Sequence, residues 1–100
     1  MSSVIHVIAV VQGKLGTAEA IEQVVSRCVG PSRAEPGCRL YQPHRDLDRA
    51  DRIVFIESWL SREALAKHER TAHFQAMVDG LAALLAEPLH VSILDTLESD

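Results

Sequence analysis

The run from Val4 to Val11 constrains this chain more than any other feature. Val4, Ile5, Val7, Ile8, Val10 and Val11 place apolar side chains at both odd and even positions. Successive residues of a strand point to opposite faces, so Val4 to Gln12 reads as a strand that is oily on both sides. A strand of that kind has to be covered on both sides. A chain of 100 residues builds one small domain. If its helices cover one face of a sheet, the other face still needs a cover.

The rest of the chain reads as a single domain over residues 1–100, with its core at about 4–96 and no internal repeat or linker. Gly13 to Gly16 is a turn, and Thr17 is a suitable N-cap for a helix from about Ala18 to Glu35. Ile21, Val24, Val25 and Cys28 form its buried stripe at helical spacing. Pro31 should kink that helix or split off its last turn, and Pro36-Gly37 ends it. Cys38 to His44 is a second strand, with Pro43 marking an edge or a bulge. A charged loop over Arg45 to Asp51 leads into a third strand, Arg52 to Trp59. Ser61 caps a short helix to about Glu69, and Thr71 caps another to about Ala86. Leu89 to Thr96 is the last strand. The order is β-α-β-β-α-β with the second helix broken: an α+β, ferredoxin-like arrangement with a four-stranded antiparallel sheet. Because the first strand is apolar on both faces, and Phe55 and Trp59 alternate with Val54 and Ile56 in the third, the bare face of the sheet predicts a second copy packed against it. A homodimer of barrel-like form follows, with a pocket between sheet and helices in each subunit.

Composition excludes several classes. The net charge of −4, without a local basic cluster, gives no footprint for nucleic acid. The longest apolar runs are too short to span a bilayer. No basic segment precedes the first apolar run, so a signal peptide is not expected and the chain reads as cytoplasmic. Cys28 and Cys38 form no CxxC pair and read as reduced thiols, buried or half-buried. Neither a Gly-x-Gly-x-x-Gly fingerprint nor a P-loop is present.

The segment Arg52 to Met77 gathers the residues that can carry chemistry. Phe55, Glu57 and Trp59 share one strand face. They could bind a flat aromatic ligand, or serve only as core and dimer packing. Glu57 could orient a histidine or bind a substrate hydroxyl, or pair structurally with Arg52 or Arg39. His68 and His73 could supply a pocket base. Tyr41, Phe74 and Met77 complete the candidate substrate wall. Glu57, His68 and His73 have the composition of a two-histidine, one-carboxylate metal site. The five-residue gap between the histidines crosses a helix break, however, and no metal is assigned.

Glu57-Ser58-Trp59, followed by Leu65, His68, Thr71, His73 and Phe74 and preceded by Glu35-Pro36-Gly37-Cys38 with Tyr41, resembles the antibiotic biosynthesis monooxygenase domain family. Within it the chain is most similar to small quinol monooxygenases. The resemblance implies a dimeric α+β barrel that oxidises a quinol or polyphenol-type small aromatic with dioxygen, without metal, flavin or haem. Haem-degrading members use a histidine and an asparagine where this chain has Val78 and Ala9, so haem is not expected. Two other readings stay open: a dimeric ligand-binding or stress module without turnover, and an isomerase of a small phosphorylated sugar.

Overall fold

The structure, a computed structural model, describes residues 4–97. Its elements are β1 (Ile5–Gln12), α1 (Ala18–Arg33), β2 (Cys38–Arg45), β3 (Arg52–Trp59), α2 (Arg62–Glu69), α3 (Ala72–Leu81) and β4 (His90–Leu94). The four strands form one antiparallel sheet in the order β2-β3-β1-β4. This is the expected ferredoxin-like α+β fold, with the broken helix resolved into α2 and α3. Pro43 lies on the edge strand β2, opposite Phe55 of β3, in keeping with the expected edge position. No helix among the described residues is long and apolar enough to cross a membrane.

One face of the sheet packs against the helices. Val7 and Val11 of β1, Ile53, Phe55 and Trp59 of β3 and Tyr41 of β2 meet Ile21, Val25 and Cys28 of α1 and Met77 and Leu81 of α3. The opposite face carries Ile8, Val10, Val54 and Ile56, and no element among the described residues covers it. Ile56 is 40% exposed there, Leu40 43% and Leu94 44%. On the helix side, β4 lies beyond the reach of the helices, leaving Val91 and Ile93 at 47% and 39% exposure.

Three local expectations need correction. Thr17 sits at the N-cap position of α1, but its side chain makes no cap bond and donates to Lys14 O instead. The cap comes from a distant residue. Asp51 accepts from Gly16 N at 3.0 Å and from Ala18 N at 2.9 Å. Asp51 holds a left-handed φ of 61°, a conformation that aspartate tolerates better than most residues. Pro31 does not split α1, which runs through it to Arg33. Finally, α3 stops at Leu81 rather than near Ala86. The backbone of the next residues bonds to the end of β1: Lys14 N donates to Leu84 O, and Ala86 N to Gln12 O. Those tertiary bonds outcompete continuation of the helix, and Leu84 and Leu85 pack on the core from a turn.

Candidate active site

The site is assembled by the turn that follows α1. The Cys38 N–H donates to Glu35 O at 3.0 Å, closing a tight turn around Pro36-Gly37. A Cβ at Gly37 would collide with the Ala64 side chain, so glycine lets α2 press onto the turn. His68 lies four residues beyond Ala64, on the same face of α2. That places its ring beside the Glu35 carboxylate, with Nδ1 2.7 Å from Oε2. The α2–α3 junction is held by Thr71. Its hydroxyl donates to His68 O and accepts from Phe74 N. The chain reversal there returns His73 to the same carboxylate oxygen, with Nε2 2.7 Å from Glu35 Oε2.

Glu35 therefore binds both histidines, and Glu57 binds neither. Glu57 Oε1 instead accepts the indole N–H of Trp59 at 2.9 Å. It pairs with neither Arg52 nor Arg39; the Arg52 side chain donates to Gln12 Oε1. In the sequence Glu35 stands out only as part of the Glu35-Pro36-Gly37-Cys38 motif. Its distance in the chain from the histidines hid its role, and only the Pro-Gly turn hinted that it was held in a defined place.

An ionised carboxylate only accepts, so both imidazoles donate to Glu35. His68 then carries its proton on Nδ1, which leaves a lone pair on Nε2. That nitrogen has no hydrogen-bond partner among the described residues. Because no buried side-chain nitrogen or oxygen among them lacks a partner, His68 Nε2 is reached by solvent-accessible space. His68 is 2% exposed and lines a small cavity of about 50 Å³. The strands contribute Val7, Ala9, Val11, Tyr41, Phe55, Glu57 and Val91 to the wall of that cavity. The helices contribute Leu65, His68, Glu69, Phe74 and Met77, and Leu89 closes it before β4.

Most of the predicted substrate residues meet here: Tyr41, Phe55, Glu57, Phe74 and Met77 all line the cavity with His68. Trp59 and His73 do not. Trp59 is fully buried behind His68, with ring centroids 4.5 Å apart, and it fixes the histidine from below. His73 faces a separate surface hollow with Val24, Arg27 and Gly80. The Tyr41 hydroxyl lies among sulfurs, 3.6 Å from Cys28 Sγ and 4.0 Å from Met77 Sδ. Burial, together with the Cys28 contact, pushes the Tyr41 pKa well up, so the phenol stays protonated. Cys28 is a buried free thiol and Cys38 a half-buried one, as expected. A larger open groove of about 510 Å³ lies between α1 and β2, beside Glu22, Arg33 and Arg45. It holds none of the predicted site residues, so chemistry favours the smaller cavity over the larger groove.

Burial acts on Glu57 and His68 in opposite senses. It pushes Glu57 up to about 7 from 4.5, partly offset by the Trp59 hydrogen bond. It lowers the His68 pKa from 6.5, opposed by Glu35, and so favours the neutral ring. These shifts carry a sign for stability. Between pH 4.5 and about 7 the folded chain holds a proton on Glu57 that the unfolded chain has lost, so stability from this group falls as pH rises through that window. The full effect is roughly 3 kcal/mol. His68 works the other way: its contribution is complete above 6.5 and is lost as pH falls below. Glu57→Gln should therefore abolish the decline towards pH 7 and leave only a rise with pH, read from urea unfolding across a pH series. A decline that persists unchanged in the variant would contradict the assignment.

Comparison with known proteins identifies the family and the fold. The family model for antibiotic biosynthesis monooxygenase matches residues 4–80. "Putative monooxygenase Rv0793" of Mycobacterium tuberculosis is 30% identical over 98% of this chain and 96% of its own length. Its solved structure superposes with a TM-score of 0.89, covering 97% of this chain and 98% of that one at 29% identity. The structure of PA3566 from Pseudomonas aeruginosa gives a TM-score of 0.90 at 36% identity, covering 98% of each chain. An uncharacterized Synechocystis protein, sll1783, is 35% identical over 71% of this chain, which spans about half of that relative at 48%. The matched segment runs from the start of β1 through nearly all of α3, most of the chain, and on that ground the chain belongs to the antibiotic biosynthesis monooxygenase family.

Proposed function

We propose that this protein is a monooxygenase that oxidises a quinol or related electron-rich phenol with dioxygen, with His68 as the base. One observation carries the reading: His68 pairs through Nδ1 with Glu35 and lines an apolar cavity, and its Nε2 has no hydrogen-bond partner among the described residues. A phenol ionises near pH ~10 and imidazole near ~6.5, so transfer to His68 needs a positioned, water-poor site. The substrate hydroxyl gives its proton to His68 Nε2. The quinolate then passes an electron to dioxygen, and the two radicals join at a ring carbon as a hydroperoxide. Loss of the proton on that carbon and cleavage of the O–O bond release water and leave a carbonyl. One oxygen atom enters the ring, the other leaves as water, and the quinol becomes a hydroxyquinone. The quinolate is itself the reductant, so the scheme calls on no bound cofactor or metal. Glu57, titrating near 7, is suited to take the second proton.

The cavity as it stands, about 50 Å³, is small for an aromatic substrate. Substrate entry therefore requires the wall to give at its weakest side. That side is the β4 edge, where Val91 is half-exposed, together with the adaptable Met77 side chain. No lysine or arginine lines the cavity, which weighs against a phosphorylated sugar. The uncovered face with Ile8, Val10, Val54 and Ile56 fits a second copy of this chain, so the working unit is taken to be a homodimer. Light scattering should then give about twice the 11.0 kDa chain mass, and a stable monomer would contradict it. The activity test is oxygen uptake by chelator-treated protein supplied with a soluble menadiol-type quinol. Uptake above autoxidation is expected, and a rate equal to the protein-free background would remove the reading.

A further inference from the structure

We propose that Glu35, His68 and His73 form a binding site for a first-row divalent cation, and that occupancy turns the cavity-facing nitrogen of His68 from an acceptor into a donor. One ligand atom from each of the three residues lies within 4.8 Å of the other two. Two imidazoles and a carboxylate suit zinc and its neighbours, leaving further positions for water. The charge pattern agrees. Glu35 is a largely buried carboxylate, 14% exposed, and its only ion-pair partners among the described residues are the two histidines. Its partners are imidazoles rather than a lysine or arginine, and a bound metal would supply a fixed positive charge. An ion has routes inward: Glu35 lines a surface hollow beside α2, and His73 lines another beside α1. Coordination requires the hydrogen-bonded atoms to separate by about half an ångström, towards the spacing set by metal bonds of ~2.0–2.2 Å. Rotation about the Glu35 and His73 side chains can provide this, since both reach the surface.

The consequence follows from proton bookkeeping alone. A metal at Nδ1 of His68 needs the lone pair there, so the ring's single proton moves through solvent to Nε2. The same exchange at His73 moves its proton from Nε2 to Nδ1. Each ring keeps one proton and no electron is transferred. His68 then offers the cavity an N–H where it previously offered a lone pair. Cation binding stands on the geometry alone. The inhibition it causes rests on the proposed role of His68 as base.

The test is calorimetric titration of untagged, chelator-dialysed full-length chain with zinc chloride. One saturable equivalent per chain is expected, with affinity falling about ten-fold or more in Glu35→Gln and in His73→Gln. Nitrogen-15 spectra of the wild-type histidines provide a second readout that needs no variant, with zinc moving the His68 proton from Nδ1 to Nε2. Absence of saturable binding overturns the proposal. So does binding that both variants retain at full strength, or a His68 ring whose proton stays on Nδ1 with zinc bound. Oxygen uptake separates the two layers: zinc that moves the proton yet leaves quinol turnover intact would preserve the site and refute His68 as the base.

Discussion

Replacing His68 by alanine should lower quinol-dependent oxygen uptake by about a hundred- to ten-thousand-fold, the usual worth of a positioned general base. The same change at His73 should cost far less. Both rings bind Glu35 Oε2 at 2.7 Å, so the difference does not come from the carboxylate. It comes from what the second nitrogen sees. His68 lines the apolar cavity, whereas His73 lines a surface hollow on the other side of α3. In the proposed scheme His73 and Glu35 are positioning residues that keep the His68 proton on Nδ1. Their variants should therefore alter the pH profile of turnover as well as its height, because a ring released from Glu35 no longer has its tautomer fixed. Equal losses in the two histidine variants, with matching pH profiles, would show that the cavity does not distinguish them.

Trp59→Ala should be the most damaging single change to stability. The indole is fully buried, and aromatic-to-alanine changes in cores cost about 3–5 kcal/mol. Two further losses fall on the site. Glu57 would lose the indole N–H that it accepts at 2.9 Å, leaving a buried carboxyl short of a donor at a cost of roughly 1–3 kcal/mol. His68 would lose the ring beneath it, 4.5 Å away centroid to centroid. A domain of this size is stable by only about 5–15 kcal/mol, so the variant should be largely or wholly unfolded at modest urea concentrations. Trp59→Phe keeps most of the packing and isolates the hydrogen bond, and its loss should stay nearer the lower figure. An alanine variant that unfolds at the wild-type urea midpoint would show that Trp59 does not hold the core as described.

Much of this was legible in the chain itself. The alternation in β1 and β3 fixed which residues face the helices: Phe55, Glu57 and Trp59 share a face, with Ile8 and Ile56 on the other. Ser61 and Thr71 cap α2 and α3 as their residue types predict. What escaped was whatever depended on distant partners. The α1 cap comes from Asp51, 33 residues beyond Ala18, and local rules assign it to Thr17. The end of α3 is set by backbone bonds to β1, which no helix propensity encodes. Glu35 joins His68 and His73 from the far end of α1. Sequence spacing suggested Glu57 for that position because Glu57 is nearer in the chain, whereas the fold turns it towards Trp59. Trp59 looked like a platform for substrate because it is a lone tryptophan beside reactive groups. It is completely buried and packs against the His68 ring.

The central claim is a proton position, and nitrogen-15 chemical shifts of the histidine side chains measure it directly. In metal-free protein at neutral pH, His68 should show a neutral ring with its proton on Nδ1 and a bare Nε2. A His68 protonated on Nε2 under those conditions, whether as the other tautomer or as the imidazolium, would contradict the account.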